Sequence, residues 1–204
     1  MEKLQYISQG TTINEQDFNI RKALDHGIQW IQIRWKNALE NELIRLCEET
    51  KKLCSTYRAV CVINDHVQLA KEIDADGVHL GLHDGSVEEA RLALGDHKLI
   101  GGTANTLSDV LQRIQEPCDY IGLGPLRFTS TKERLSPILG FEGYKKIIEG
   151  LKERSMEIPK IFAIGGVGLE DIIPLQKAGL YGASVSGLIT KQPSIISEFK
   201  KVMI

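Results

Sequence analysis

The stretch Asp119-Tyr120-Ile121-Gly122-Leu123-Gly124-Pro125-Leu126-Arg127-Phe128-Thr129-Ser130-Thr131-Lys132 passes from an apolar run into a polar loop. Residues 118–121 are predicted to form a buried β-strand, and the glycines that follow allow a ligand to approach the backbone closely. Three hydroxyls and an ammonium then occur within four residues, and such groups can bind several phosphate oxygens at once. The stretch therefore predicts a strand that leads into a phosphate-binding loop, with a solvated polar turn as the alternative.

The same alternation of an apolar run and an amphipathic helix extends along the chain. Strands are predicted at residues 4–8, 28–34, 59–63, 77–80, 98–102, 118–121, 159–164 and 181–186. Helices are predicted near residues 15–26, 39–57, 67–73, 87–94, 107–114, 141–154, 169–178 and 194–203. Alternation at a spacing of about 25 residues favours a parallel α/β fold, and eight strands close a barrel. The sequence predicts a single (β/α)8 TIM barrel domain over residues 1–204, with a doubly wound open sheet as the alternative.

Composition limits the classes of function. The chain has 204 residues, of which 42% are hydrophobic and 25% are charged, and its formal net charge is -2. These values predict a sizeable core and provide no basic field for nucleic acid. No apolar run approaches the roughly 20 residues that a membrane span needs. We therefore expect a cytoplasmic protein whose partners are phosphorylated small molecules, not nucleic acid or membranes, and homo-oligomerisation is left open.

The four cysteines show no Cys-x-x-Cys spacing; they are Cys47, Cys54, Cys61 and Cys118. A reducing compartment keeps such residues as thiols, and a buried free cysteine packs like a small hydrophobic residue. We therefore expect structural thiols and no metal or redox role.

Polar or flexible residues occur where the predicted strands end. In a barrel of parallel strands these ends meet on one face, so residues far apart in sequence can share a site. The set comprises Gln32, Arg34 and Lys36; Asn64 and Asp65; His79 and Asp84; Thr103 and Asn105; Thr129, Thr131 and Lys132; Gly165 and Gly166; Ser186 and Gly187.

Two parts of this set are typical of phosphate sites. Strand alternation predicts that Gln32, Arg34 and Lys36 point the same way, and both cations can bind phosphate; a solvated strand edge is the alternative. The segments 165–166 and 186–187 follow the last two strands, where TIM barrels commonly bind a monophosphate through backbone N–H groups; simple turns are the alternative. Two phosphate regions predict two phosphorylated substrates, or one with a phosphate at each end.

Asp65 and Asp84 are candidate ligands of Mg²⁺, which favours one or two carboxylates together with water and substrate phosphates. The alternative is that each carboxylate caps the helix that follows it. His79 and His83 are four residues apart, but they fall on a strand and a loop without further soft ligands. A zinc pair is therefore not favoured.

Taken together and in this order, several segments resemble the thiamine-phosphate synthase family over nearly the whole chain. They are Gln32-Ile33-Arg34-Trp35-Lys36, Ile63-Asn64-Asp65, Ala75-Asp76-Gly77-Val78-His79-Leu80-Gly81, Asp119-Tyr120-Ile121-Gly122-Leu123-Gly124-Pro125, Thr129-Ser130-Thr131-Lys132 and Ala163-Ile164-Gly165-Gly166-Val167. The resemblance implies a (β/α)8 barrel that joins hydroxymethylpyrimidine diphosphate to thiazole phosphate. Thiamine phosphate and pyrophosphate would be the products.

The resemblance also implies roles for individual residues. Pyrophosphate would leave first, and the thiazole nitrogen would then capture a pyrimidine-methyl cation. The metal ligands would be Asp65 and Asp84, and the catalytic cations would be Arg34, Lys36 and Lys132. The pyrimidine diphosphate would contact Gln32, Arg34, Lys36, Asn64, Thr103 and Lys132, and the thiazole phosphate would contact Thr129, Thr131, Gly166, Ser186 and Gly187.

The chain departs from the family pattern at three positions. Thr103 replaces a serine and keeps its hydroxyl, Asn105 replaces a common histidine, and Leu82 replaces a common glutamine, which removes a polar contact. Three competing functions are a thiazole tautomerase-like homologue, a non-catalytic thiamine-related binding protein and a barrel isomerase for a sugar phosphate. The long polar loop at residues 127–137 is predicted to act as a lid.

Overall fold

The computed structural model describes residues 1–128 and 137–203, and within them eight strands alternate with helices. The strands are β1 (Leu4–Ile7), β2 (Trp30–Ile33), β3 (Val60–Asn64), β4 (Gly77–Leu80), β5 (Leu99–Ala104), β6 (Tyr120–Leu123), β7 (Ile161–Ile164) and β8 (Gly182–Val185). The helices are α1 (Ile13–Asp25), α2 (Glu40–Tyr57), α3 (Val67–Glu72), α4 (Val87–Leu94), α5 (Leu107–Gln115), α6 (Gly140–Glu153), α7 (Ile172–Ala178), α8 (Gly187–Lys191) and α9 (Ile195–Val202). A short 3-10 helix, Leu169–Asp171, precedes α7.

Every strand pairs in parallel with its neighbour in sequence, and β8 pairs with β1 to close the barrel. The predicted TIM barrel is confirmed, and the alternative of a doubly wound open sheet is wrong. Within the described part of the chain, no helix has the length and apolar character needed to cross a bilayer.

The barrel interior is filled by aromatic side chains at the amino-terminal ends of the strands. Trp30 of β2 meets Tyr120 of β6 with ring centroids 4.9 Å apart, and it meets Phe162 of β7 at 5.1 Å. Because β2 and β6 lie on opposite sides of an eight-stranded barrel, these contacts cross its interior. The larger hydrophobic cluster lies between the strands and the surrounding helices. The amino-terminal half of the barrel is therefore closed, and ligands can enter only from the carboxyl-terminal face.

Several predicted ends differ from the observed ones by one or two residues, and two differences, one strand start and one missed helix, have local explanations. The sixth strand begins at Tyr120 and not at Cys118, because residues 116–119 form a turn. In that turn the Cys118 N–H donates to the Glu116 carbonyl, and the Asp119 carboxylate accepts the Ile100 N–H at 2.7 Å. The five-residue helix α8 was not predicted, because its first residue, Gly187, is typical of a turn.

The expectation of structural thiols agrees with the cysteine environments. Cys47, Cys54 and Cys61 are buried, Cys118 is partly buried, and all four are free thiols. Burial raises the pKa of Cys47 to about 12, so its thiol stays protonated and unreactive at neutral pH.

Candidate active site

Two carboxylates meet at the carboxyl-terminal ends of β3 and β4. Asp65 follows β3, Asp84 lies in the loop after β4, and their carboxylates are close enough to shift each other's pKa. Asp84 Oδ2 also accepts the backbone N–H of Gly81 at 2.9 Å. A Cβ atom on Gly81 would lie 2.2 Å from that oxygen. The absence of a side chain at Gly81 therefore lets Asp84 fold back against the end of β4.

The alternative that these carboxylates are helix caps is wrong. The helix α3 has His66 at its N-cap and no side-chain cap, whereas α4 is capped by Ser86, whose Oγ accepts the N–H of Glu89. Asp65 instead adopts a left-handed backbone conformation with φ of 69°. This conformation is uncommon for a residue with a side chain, and such residues are concentrated at functional sites.

The charges around the carboxylate pair are unbalanced. Burial and the contact with Asp84 raise the pKa of Asp65 from 3.8 to about 6, although Lys36 opposes the shift. The interaction with Asp65 lowers the pKa of Asp84, so the pair binds one proton below about pH 6 and loses it at neutral pH. Lys36 Nζ lies 3.4 Å from Asp65 Oδ2. At neutral pH the two ionised carboxylates carry more negative charge than Lys36 alone offsets, and a divalent cation would neutralise the remainder.

The donor set has the chemistry of a magnesium site. Its two carboxylates supply hard oxygen ligands, and in the described ranges no group of three or more histidine, cysteine, aspartate or glutamate side chains is placed to hold a metal. Mg²⁺ commonly binds one or two carboxylates and completes its shell with water and substrate oxygens, and this pair fits that pattern.

The first cationic segment differs from the strand that the sequence predicted. Strand β2 ends at Ile33, so the alternation argument does not extend to Lys36, which reaches Asp65 from a turn. The backbone N–H of Arg34 donates to Ser8 Oγ at 3.0 Å, which fixes the chain as it leaves the barrel. Gln32 points inward and is buried. Gln32 therefore lies inside the barrel, whereas Lys36 reaches the carboxylates from outside the strand.

A hydrogen-bonded chain of polar side chains lies inside the barrel above the aromatic layer. The amide of Gln32 donates to Gln5 Oε1 at 3.1 Å, and Gln5 Nε2 donates to the Tyr120 hydroxyl at 3.3 Å. The imidazole of His79 joins Tyr120 to Thr103, with Nδ1 3.1 Å from the phenol and Nε2 3.0 Å from Thr103 Oγ1. This chain connects two predicted substrate-binding residues, Gln32 and Thr103, through residues that the sequence did not single out for this role.

The position of His79 also disfavours a zinc pair. Both of its ring nitrogens are engaged inside the barrel, whereas His83 is exposed in the loop after β4. At the end of β3, Asn64 pairs in register with His79 and is nearly buried. Asn64 therefore lies directly beside Asp65 and one strand away from the polar chain.

The backbone after β7 adopts conformations that favour glycine. Gly165 and Gly166 have φ of 85° and 70°, and a Cβ on Gly166 would lie 2.9 Å from the Cβ of Arg127. The guanidinium of Arg127 bonds the Gly166 carbonyl and forms an ion pair with the buried carboxylate of Asp171. These contacts fasten the loop after β6 to the loop after β7.

The end of β8 adds a hydroxyl to the same face of the barrel. Ser186 Oγ is buried, and no hydrogen-bond partner is found for it within the described part of the protein. Gly187 follows it at the start of α8. A buried hydroxyl without a partner is costly, so a ligand oxygen at this position would be stabilising.

The remaining candidates have different outcomes. Asn105 donates its side-chain amide to the Gly124 carbonyl, so at least part of its hydrogen-bonding capacity holds β5 against the end of β6. Thr129, Thr131, Lys132 and most of the predicted lid at residues 127–137 lie outside the described residues.

Comparison with known proteins identifies the family. A family model described as thiamine monophosphate synthase matches residues 6–189. Thiamine-phosphate synthase of Flavobacterium psychrophilum is 57% identical over 189 residues, which cover 93% of this chain and 91% of that protein. The chain belongs to the thiamine monophosphate synthase family. Thiamine-phosphate synthase of Flavobacterium johnsoniae is 52% identical over 99% of this chain and 92% of that protein.

A solved structure of the same family has the same fold. Thiamine phosphate pyrophosphorylase from Pyrococcus furiosus superposes with a TM-score of 0.81 and is 27% identical, covering 98% of this chain and 95% of that chain. The family predicted from the sequence is therefore confirmed by both sequence and fold.

Proposed function

We propose that this protein joins hydroxymethylpyrimidine diphosphate to thiazole phosphate, releasing pyrophosphate and forming thiamine phosphate. It would act as a transferase of thiamine biosynthesis, as the names of its relatives indicate. The observation that carries the proposal is the contact between Asp65 and Asp84 at the open end of the barrel. A carboxylate pair that caps neither helix and has one lysine nearby is suited to hold a cation against a diphosphate.

Asp65 and Asp84 would hold Mg²⁺, with water and diphosphate oxygens as the other ligands. When bound, Mg²⁺ supplies positive charge that offsets the negative charge developing on pyrophosphate as it leaves. Lys36 lies beside Asp65 and is half exposed, so its ammonium is available to the same diphosphate. Arg34 follows β2 directly and would bind phosphate oxygens with its planar guanidinium.

These cations, with Lys132, would act on the leaving group and not on the carbon that reacts. Departure of pyrophosphate develops charge on its oxygens, and fixed cations stabilise that charge most when water is excluded. The thiazole nitrogen would then attack the pyrimidine-methyl cation. No protein nucleophile is needed for this sequence of bond changes.

The polar chain inside the barrel would orient the pyrimidine ring. Gln32 bonds Gln5 and Thr103 bonds His79, and both partners lie deeper in the barrel. Gln32 and Thr103 are therefore the members of the hydrogen-bonded series nearest the carboxyl-terminal face. Asn64 is next to Asp65 in the chain and pairs in register with His79 of the polar chain, which supports a role for it beside both groups. The ring would therefore lie over the barrel axis, with its diphosphate toward β3 and β4.

The thiazole phosphate would bind on the other side of the opening. The backbone at Gly166 and Gly187 and the hydroxyl of Ser186 would donate to its oxygens, and Thr129 and Thr131 are proposed to complete the site. Support comes from the left-handed backbone at Gly166 and from the buried Ser186 hydroxyl. The two substrates would then face each other across the barrel.

A product assay tests the proposal. The purified protein should form thiamine phosphate and pyrophosphate in equal amounts when both substrates and Mg²⁺ are present, and neither product when one substrate is omitted. A thiazole tautomerase would form no pyrophosphate, and a non-catalytic binding protein would bind substrate without turnover. Either of these results would refute the proposed activity.

A further inference from the structure

Arg113 of α5 is a buried arginine that joins the ends of two barrel strands. Only 3% of its surface is exposed. Its Nε donates to the Thr103 carbonyl in β5 at 3.1 Å, and its Nη2 donates to the Gly81 carbonyl after β4 at 3.0 Å. Glu116 balances its charge through a contact of 2.6 Å. The guanidinium therefore fixes the spacing of two backbone segments at the carboxyl-terminal face.

Both segments carry groups of the candidate site. The N–H of Gly81 bonds Asp84 Oδ2, and Thr103 presents its hydroxyl to His79 in the barrel interior. The side chain of Arg113 approaches from the helix layer, on the opposite side of these strands from the substrates. It contacts the backbone next to Asp84 and at Thr103, and it leaves the two side chains to their own partners, Gly81 and His79.

Gly102 provides the space in which Arg113 lies. A Cβ atom at this position would lie 2.6 Å from Arg113 Cδ and 2.8 Å from its Nε. Since Thr103 points into the barrel, its neighbour Gly102 faces α5. The glycine and the arginine therefore form one packing unit.

We propose that Arg113 is a positioning residue for the magnesium–diphosphate half of the site, acting through Gly81 and Asp84. The inference rests on the proposed function. Without the guanidinium, the Gly81 and Thr103 carbonyls lose a charged donor, and the loop that carries Asp84 loses the link to β5 that lies beyond the last ladder pair, Leu80 and Gly102. Mutation of a group that bonds a metal ligand directly commonly costs about 10- to 100-fold in metal affinity. Arg113 acts through Gly81, one bond further from Asp84, so we expect the lower end of that range.

Arg91 of α4 provides a matched control. It also ties strand ends together, donating to the Lys98 carbonyl at 2.7 Å and to Pro117 and Asp119 at 3.0 and 2.6 Å. These groups precede β5 and β6, so Arg91 acts at the amino-terminal face, away from the candidate site. Loss of Arg91 should therefore destabilise the barrel without changing the site.

The test compares Arg113→Met, Arg113→Lys and Arg91→Met with the wild-type protein. Pyrophosphate is titrated calorimetrically in saturating Mg²⁺, at a temperature below the melting temperature of every variant. We expect Arg113→Met to weaken binding about 10-fold, Arg113→Lys to recover part of the loss, and Arg91→Met to bind within two-fold of wild type. Gly102→Ala displaces the arginine without removing its charge and should weaken binding as much as Arg113→Met does. It replaces Arg113→Met in the comparison if that variant does not fold.

The outcomes separate the two proposals. Wild-type affinity in both Arg113→Met and Gly102→Ala, or an equal loss in Arg91→Met, would overturn the positioning role while leaving the proposed function intact. A wild-type protein that binds no pyrophosphate with Mg²⁺ would overturn both.

Discussion

Replacing Asp84 by asparagine should stabilise the protein when no metal is present. Asp84→Asn removes the like charge beside Asp65, and the amide oxygen can still accept the Gly81 N–H. The pKa of Asp65 is raised from 3.8 to about 6. Without any screening, this shift would lower the free energy of unfolding by about 3 kcal/mol at neutral pH. Burial is the largest cause and persists in the variant, and solvent screens a partly exposed group. We therefore expect a gain of about 1 kcal/mol, or about 2–4 °C in Tm.

The pH dependence of this gain has a definite sign. The folded state holds the Asp65 proton more tightly than the unfolded state does. The loss of wild-type stability that comes from ionising Asp65 is therefore absent below about pH 4, grows as the pH rises, and is complete above about pH 6. The difference between Asp84→Asn and wild type should therefore be close to zero at pH 4 and largest above pH 7. Addition of Mg²⁺ and pyrophosphate should reverse the order, because wild type gains binding energy that the variant lacks.

Thermal unfolding in EDTA across this pH range, repeated with Mg²⁺ and pyrophosphate, measures both effects. Glu48→Gln, which neutralises an exposed carboxylate on α2, is the control and should change neither. The reasoning is refuted if Asp84→Asn is less stable than wild type in EDTA at pH 7.5, or if both proteins gain equally from Mg²⁺ and pyrophosphate.

Three further predictions concern single residues. Lys36→Met should lower kcat/KM by at least about 100-fold through loss of phosphate charge stabilisation, while Tm changes little because the ion pair with Asp65 is partly exposed; steady-state kinetics that match wild type would contradict this. Gly81→Ala should displace Asp84, since the new Cβ would lie 2.2 Å from its carboxylate, and thus weaken Mg²⁺-dependent pyrophosphate binding; unchanged calorimetric affinity would exclude the steric argument. Cys47 should resist iodoacetamide in the folded protein at pH 8 and react only after unfolding, because burial raises its pKa to about 12; rapid labelling of the native protein, located by mass spectrometry, would disprove this.

The barrel was predictable from sequence because its signal is repeated eight times. A boundary error such as the start of β6 at Tyr120 shifts one strand end and leaves the topology unchanged. Once the barrel is assumed, the ends of β3 and β4 must be neighbours, so Asp65 and Asp84 could be paired without coordinates. The sequence could not decide whether these two carboxylates cap helices or bind a metal, because that depends on the direction in which each side chain points.

The interior polar chain and Arg113 were beyond sequence reasoning for a physical reason. Strands of a TIM barrel are buried on both faces, so alternation of polar and apolar residues does not mark which side chains point inward. Gln5 and Tyr120 therefore gave no signal of a shared network. Arg113 looked like any basic residue in the last turn of a helix, since its role depends on the space left by Gly102 in another element.

The central claim is that Asp65 and Asp84 hold a divalent cation against a diphosphate at the open end of the barrel. Anomalous diffraction from crystals soaked with Mn²⁺ and pyrophosphate tests it most directly, because the anomalous signal identifies manganese and distinguishes it from water. We predict one strong peak within about 2 Å of a carboxylate oxygen from each residue and in contact with a pyrophosphate oxygen. Pyrophosphate bound at the barrel opening without a peak between these carboxylates, or a manganese peak elsewhere, would contradict the account.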